Sequence, residues 1–250
     1  MLTIENLSKY YRTTLAVDGV SFHIADGEIL GLLGPNGAGK TTILRSIAGI
    51  LQFSGGRIEI NGHDLVKNEQ QAKRSLAFVP EVPNPYEMLT VYEHLRFVAM
   101  AYDTMEKFDE RATMLLERFD LLDKKNDLVL SLSKGMKQKL AVACAFTHDA
   151  QALLFDELLI GIDPKGTREL KSMMQSAKEA GCSVLVSTHM LDTAERLCDR
   201  ILIIDHGRKV AEGTLAELHD RAHMGADATL EDMFLKLTED RIPDETTPVS

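Results

Sequence analysis

Apolar and polar residues alternate twice near the start of the chain, in LTIENL from Leu2 and in GVSFHIA from Gly19. A period of two is that of half-buried strands, and the two stretches predict antiparallel pairing. A hairpin is predicted in GRIEINGHDL, with Asn61-Gly62 as its turn. Between these lies EILGLLG, a short apolar strand that runs into a Gly-rich loop and then a predicted helix, KTTILRSIAGIL.

From about Pro83 to Thr147 the strand alternation stops and helical spacing takes over, as in VYEHLRFVAMAY and ERATMLLERFDLL. This stretch reads as a helical lobe inserted into an α/β body. Alternation of strand and helix then resumes with the strand ALLF, the helix around TRELKSMMQSAKEA, the strand SVLVST, the helix MLDTAERLC and the strand RILIID. Short strands separated by helices imply a mostly parallel sheet covered on both faces. The expected organisation is one domain over residues 1–222, with 223–250 a short helix and a flexible tail ending in DRIPDETTPVS. The methionines at 173 and 174 read as core filler. No internal repeat is visible.

A chain of 250 residues, 44% hydrophobic and 26% charged, can bury a substantial core. Its longest apolar runs, such as Ile29 to Leu33 and Ala141 to Phe146, are far below the ~20 residues that span a bilayer. The start, MLTIENLSKYY, lacks the features of a secretory signal, so a cytoplasmic location is expected. Cys144, Cys182 and Cys198 are odd in number and show no C-x-x-C spacing, which favours reduced thiols. A net charge of −10 argues against a general nucleic-acid binder, and no nucleic acid is expected as a partner.

Chemistry enters with GPNGAGKT, Gly34 to Thr41, which has every fixed position of the P-loop pattern between a strand and a helix. Glycines let the backbone wrap closely round phosphate oxygens, so Asn36, Gly37, Ala38, Gly39, Lys40, Thr41 and Thr42 are the candidate nucleotide-binding residues. Lys40 would reach the β- and γ-phosphates, the Thr41 hydroxyl would bind Mg²⁺ and Thr42 would meet the α-phosphate. A phosphate cradle alone does not separate GTPases, kinases and ATPases. The stretch LLFDELLIGID adds two carboxylates at the end of a buried strand. Asp156 stands where a second group helps hold the magnesium, and Glu157, one residue beyond, is placed to activate a water in line with the γ-phosphate.

With these elements the sequence resembles the ATP-binding cassette (ABC) family over nearly its whole length. LSKGMKQKL, Leu132 to Leu140, resembles the signature most members write as LSGGQ, GIDP from Gly161 resembles the D-loop, and VSTH ends at His189, the position of the switch histidine. KYY places Tyr11 where the family stacks an aromatic ring on adenine, and FVPEVP holds Glu81 where the Q-loop has Gln. The resemblance implies a P-loop NTPase core with a mostly parallel sheet, an antiparallel β subdomain and an inserted helical subdomain. It further implies ATP and Mg²⁺ as cofactors, with Glu157, His189 and Lys40 catalytic, and Thr41, Glu81 and Asp156 at the metal. Ser133 and Gly135 would contact the γ-phosphate held by a second cassette, so that hydrolysis requires a homodimer or heterodimer.

The implied function is the ATPase subunit of a membrane transporter, peripheral on the inner face of the cell membrane through a separate transmembrane permease. The stretch PYEMLTVYEHL offers apolar and aromatic residues for that contact. The signature, FVPE and the compact C-terminal part are similar to export-type cassettes, the Ecs-type group among them, associated with peptide export. Two other readings stand beside this one, a soluble ABC ATPase without a transport role and a non-hydrolysing regulatory cassette. Against the family pattern, Lys134 and Met136 replace Gly and Gln of the signature, and Leu158 and Leu159 follow the catalytic Glu where Pro is common. Because a carboxamide oxygen can replace the Glu81 carboxylate as an acceptor, Glu81→Gln is expected to retain ATPase activity in a steady-state assay. A loss beyond about a hundredfold, or ~2.7 kcal/mol of barrier, would mean that the charge itself is required.

Overall fold

The computed structural model describes residues 1–158, 161–224 and 228–239; Leu159 and the DRIPDETTPVS tail lie outside them. Two sheets organise the chain. The first is antiparallel, with β1 (Leu2–Tyr11), β2 (Thr14–Ile24), β4 (Gly55–Ile60) and β5 (His63–Asp64) in the order β2-β1-β4-β5. The two alternating stretches of the sequence pair here, Leu2 opposite Ile24 and Ile4 opposite Phe22. Asn61 and Gly62 form the β4–β5 turn with φ of 50° and 78°, the left-handed pair of a two-residue hairpin.

The second sheet contains β3 (Ile29–Leu33), β6 (Leu76–Val79), β7 (Ala152–Asp156), β8 (Ser183–Ser187), β9 (Arg200–Asp205) and β10 (Arg208–Gly213), in the order β10-β9-β3-β8-β7-β6. All its pairings are parallel except that of the edge strand β10 with β9. Strands β6 and β10 were not legible in the sequence pattern. β3, β7 and β8 are buried at every position, and the period of two sorts their side chains between different cores. Leu30, Leu32, Leu154, Leu185, Leu202 and Ile204 meet the antiparallel sheet and α1 (Lys40–Ile47). On the opposite face Ile29, Leu153, Phe155, Val184 and Val186 meet a cluster that includes the helical insertion.

That insertion contains α3 (Val91–Ala101), α4 (Phe108–Arg118) and α5 (Lys134–Ala145), and α2 (Glu69–Arg74) precedes β6. A capping box fixes the start of α3, with Thr90 accepting from the Glu93 amide and Glu93 accepting from the Thr90 amide. After β7 come α6 (Pro164–Glu179), α7 (Leu191–Leu197), α8 (Leu215–Ala222) and α9 (Leu230–Glu239). Helix α1 is shorter than the sequence pattern implied. It stops at Ile47 because Gly49 turns left-handed with φ of 63°, and the amides of Ile50 and Leu51 fold back onto the Arg45 carbonyl.

The β9–β10 turn at His206-Gly207 reaches the P-loop: the Gly207 amide donates to the Ala38 carbonyl at 3.0 Å, and the Asp18 amide to the Gly207 carbonyl at 2.8 Å. Met173 and Met174 are buried. Cys144, Cys182 and Cys198 are free, with burial pushing the Cys144 and Cys198 thiols up to about 12, beyond ready ionisation. Phe155 is fully buried on β7, one residue before Asp156. Phe155→Ala is expected to destabilise the chain by about 3–5 kcal/mol in urea unfolding.

Candidate nucleotide site

Helix α1 begins at an uncapped N-terminus. Its N-cap is Gly39, with φ of 104°, and a Cβ there would stand 2.9 Å from the Ala16 carbonyl oxygen, so the position accepts no side chain. The first amides of the helix have no side-chain cap, and the helix dipole favours an anion in front of them. They open onto a cleft of about 320 Å³ lined by Ala16, Pro35, Asn36, Gly37, Gly39, Lys40, Thr41, Thr42, Glu81, Glu157 and His189. Six of the residues expected from sequence at the phosphates or metal, Asn36, Gly37, Gly39, Lys40, Thr41 and Thr42, therefore meet in one cavity, joined by Glu81, Glu157 and His189 from three separate loops.

Asp156 closes β7 at the floor of this region and is 1% exposed. Its Oδ1 accepts from the Ser187 hydroxyl at 2.7 Å and from the Thr41 hydroxyl at 3.2 Å. Its Oδ2 is buried and has no hydrogen-bond partner. An unpaired buried carboxylate oxygen is costly, and a hard cation is a ligand that removes the cost. The donor set of Asp156 and Thr41 therefore fits Mg²⁺. Magnesium takes one or two protein oxygens and completes its shell with phosphates and water.

Glu157 adopts a left-handed backbone, φ 49°, and its amide donates to the Ser187 hydroxyl and carbonyl, both at 3.1 Å. This turn sends its carboxylate away from that of Asp156. Glu157 Oε1 lies 3.3 Å from Lys40 Nζ, and both side chains are over nine-tenths buried. Glu157 Oε2 lies 2.8 Å from His189 Nδ1 and accepts from the His189 amide at 3.3 Å. Lys40 also donates to the Gly34 and Pro35 carbonyls, at 2.7 and 3.3 Å. A lysine held by carbonyl oxygens and a carboxylate has all three donors directed, and the imidazole beyond is half-exposed.

Not every expected residue gathers here. Ala38 is buried behind the loop and Tyr11 is half-exposed at the end of β1, neither lining the cleft. Ser133 and Gly135 also lie outside it: Ser133 caps α5, its hydroxyl accepting from the Met136 amide at 3.3 Å. Ser187, which bonds both Asp156 and the Glu157 amide, was not singled out from sequence. Its signal was its place in VSTH, but its function depends on the register that sets it opposite Asp156.

Residues 17–159 match the family model described as ABC transporter. The ABC-type transporter ATP-binding protein EcsA of Bacillus subtilis (strain 168) is 38% identical over 241 residues, 96% of this chain and 97% of that protein. The chain belongs to the ABC transporter family. ABC cassettes are ATP-binding ATPases. The linearmycin resistance ATP-binding protein LnrL of the same organism is 35% identical over 92% of this chain and 74% of its own length. A solved ATP-binding subunit of an ABC transporter superposes with a TM-score of 0.91 at 36% identity, covering 95% of this chain and 99% of the other.

The site depends on Ser187 for its geometry. Ser187→Ala removes a hydrogen bond to a buried carboxylate and is expected to lower stability by about 1.5–3 kcal/mol in urea unfolding.

Proposed function

We propose that this ABC cassette is the ATP-hydrolysing subunit of a membrane exporter and works through ATP-dependent dimerisation. The observation that carries the reading is the pair of unlike carboxylates at the end of β7. Asp156 keeps one oxygen buried and unpartnered beside Thr41, while Glu157 faces Lys40 and His189 across the cleft. In this reading Asp156 and Thr41 hold Mg²⁺ with Glu81 near by, and the backbone from Asn36 to Thr42 with the Lys40 ammonium holds the phosphates. Magnesium, when bound, supplies positive charge to the β- and γ-phosphate oxygens.

Glu157 accepts the proton of the attacking water as Lys40 leaves it for the γ-phosphate, and His189 contacts the γ-phosphate while orienting Glu157. Tyr11, half-exposed at the end of β1, stacks on adenine in this reading. Ser133 and Gly135, outside their own cleft at the start of α5, complete the site of a second cassette. Hydrolysis then reopens the pair, which is the mechanical stroke.

A transport role is supported by the kinship with EcsA and LnrL, the latter a resistance protein, and resistance through a transporter means outward movement of the compound. No helix among the described residues is long and apolar enough to cross a membrane, and in this reading the spanning part is a partner permease. Around α3, Val82, Tyr86, Met88, Phe97 and Met100 are all exposed and apolar. They form the face on which cytoplasmic helices of the permease would dock at the membrane's inner side. The transported cargo is a peptide or another amphiphilic compound.

The test is light scattering on Glu157→Gln with and without ATP and Mg²⁺, beside the ATPase rate of the wild type. An ATP-dependent dimer in the variant and turnover in the wild type are expected. A variant that binds ATP and stays monomeric refutes the symmetric sandwich, and a wild type without turnover refutes the hydrolytic role.

A further inference from the structure

Lys139 lies in the second turn of α5, over nine-tenths buried, although a lysine is seldom fully buried unless paired. Its ammonium reaches Asp163 Oδ2 at 2.5 Å. The other oxygen of Asp163 caps α6, accepting from the Gly166 amide at 2.9 Å. Space for the lysine is reserved on α6: a Cβ at Gly166 would stand 2.9 Å from Lys139 Cε and 2.5 Å from Ile162 Cγ2. The first turn of α5 touches the same segment, since a Cβ at Gly135 would stand 3.1 Å from the Gly161 carbonyl oxygen. The hydrogen bond from Lys139, followed by that from the Gly166 amide, lowers the Asp163 carboxyl below its usual value. The ion pair therefore persists through the neutral range.

Two pieces of chain that are far apart in sequence, 133–135 and 161–163, are thus fixed to each other by one buried cation. Neither Ser133 nor Gly135 lines the cleft of its own chain. We propose that Lys139 is a positioning residue, which locks the 161–163 loop to the start of α5 so that both meet the second cassette as one preformed surface. The proposal rests on the dimer reading above. Without the lock, each piece must be ordered separately when the cassettes close, and that entropy opposes association. Nucleotide binding to the single chain does not involve the pair and stays as it is.

The experiment places Lys139→Met, Lys139→Arg and Asp163→Asn each in the Glu157→Gln background of the full chain. Dimer dissociation constants are measured by light scattering in ATP and Mg²⁺, with ATP affinity of the monomer measured by calorimetry. Asp163→Asn keeps a helix-capping side chain while removing the charge, so it tests the lock even if Lys139→Met folds poorly.

The expected result is a dimer weakened about tenfold or more in Lys139→Met and Asp163→Asn, the size of an ordinary coupling between contacting residues. ATP affinity changes less than about twofold and Lys139→Arg recovers most of the loss, because a second cation refills the site. Dimerisation unchanged in both uncharged variants overturns the proposal alone, as does an equal loss of ATP affinity, which would make the pair a general structural support. A Glu157→Gln parent that stays monomeric overturns the dimer reading and this proposal with it.

Discussion

A carboxylate at the end of a fully apolar strand is stable only when its oxygens are bonded, and Asp156 meets that condition by halves. Ser187 from the neighbouring strand and Thr41 from the P-loop helix satisfy Oδ1, and Oδ2 is left buried without a partner. Both donors arrive through the parallel sheet: β8 pairs Ser187 directly with Asp156, and α1 packs its apolar face on the same sheet. The cost of the unpaired oxygen is what makes this a place for a cation. The fold supports it by burying β3, β7 and β8 on both faces, which leaves those strands no freedom to slip in register.

The next residue shows how a single backbone turn separates two like groups. A left-handed φ at Glu157 directs its carboxylate to Lys40 and His189 while Asp156 faces Thr41 and Ser187. Had both acids pointed the same way, two like charges would have shared one buried site. Here the two acids have separate partners, and one oxygen of Asp156 is left without any. Lys40 is held by the Gly34 carbonyl as well as by Glu157, so its charge is stabilised by its own loop.

The helical insertion is tied to the nucleotide cleft through two successive residues of α5. Gln138, itself buried, donates to the Glu81 carbonyl at 3.2 Å, and Lys139 holds Asp163. The loop that carries Glu81 into the cleft and the loop that follows the carboxylates are therefore both anchored to one helix. The exposed apolar residues around α3 lie on the same insertion.

Local chemistry in the sequence determined the phosphate cradle, the strand ending in two carboxylates and the alternating strands of the first sheet. Each of these depends on near neighbours: glycines that permit a tight loop, an apolar run that must be buried, a period of two. The short edge strands β6 and β10 escaped notice because four to six residues of ordinary composition acquire strand identity only from the partner they pair with. Ser187 and Lys139 escaped for the same reason. A serine inside VSTH and a lysine inside KQK read as ordinary polar residues until parallel register places one beside Asp156 and helix packing buries the other against Asp163. Sequence by itself determined which groups were present and in what order. Tertiary structure decided which of them share a low-dielectric space, and there the solvation lost on burial makes each partner indispensable.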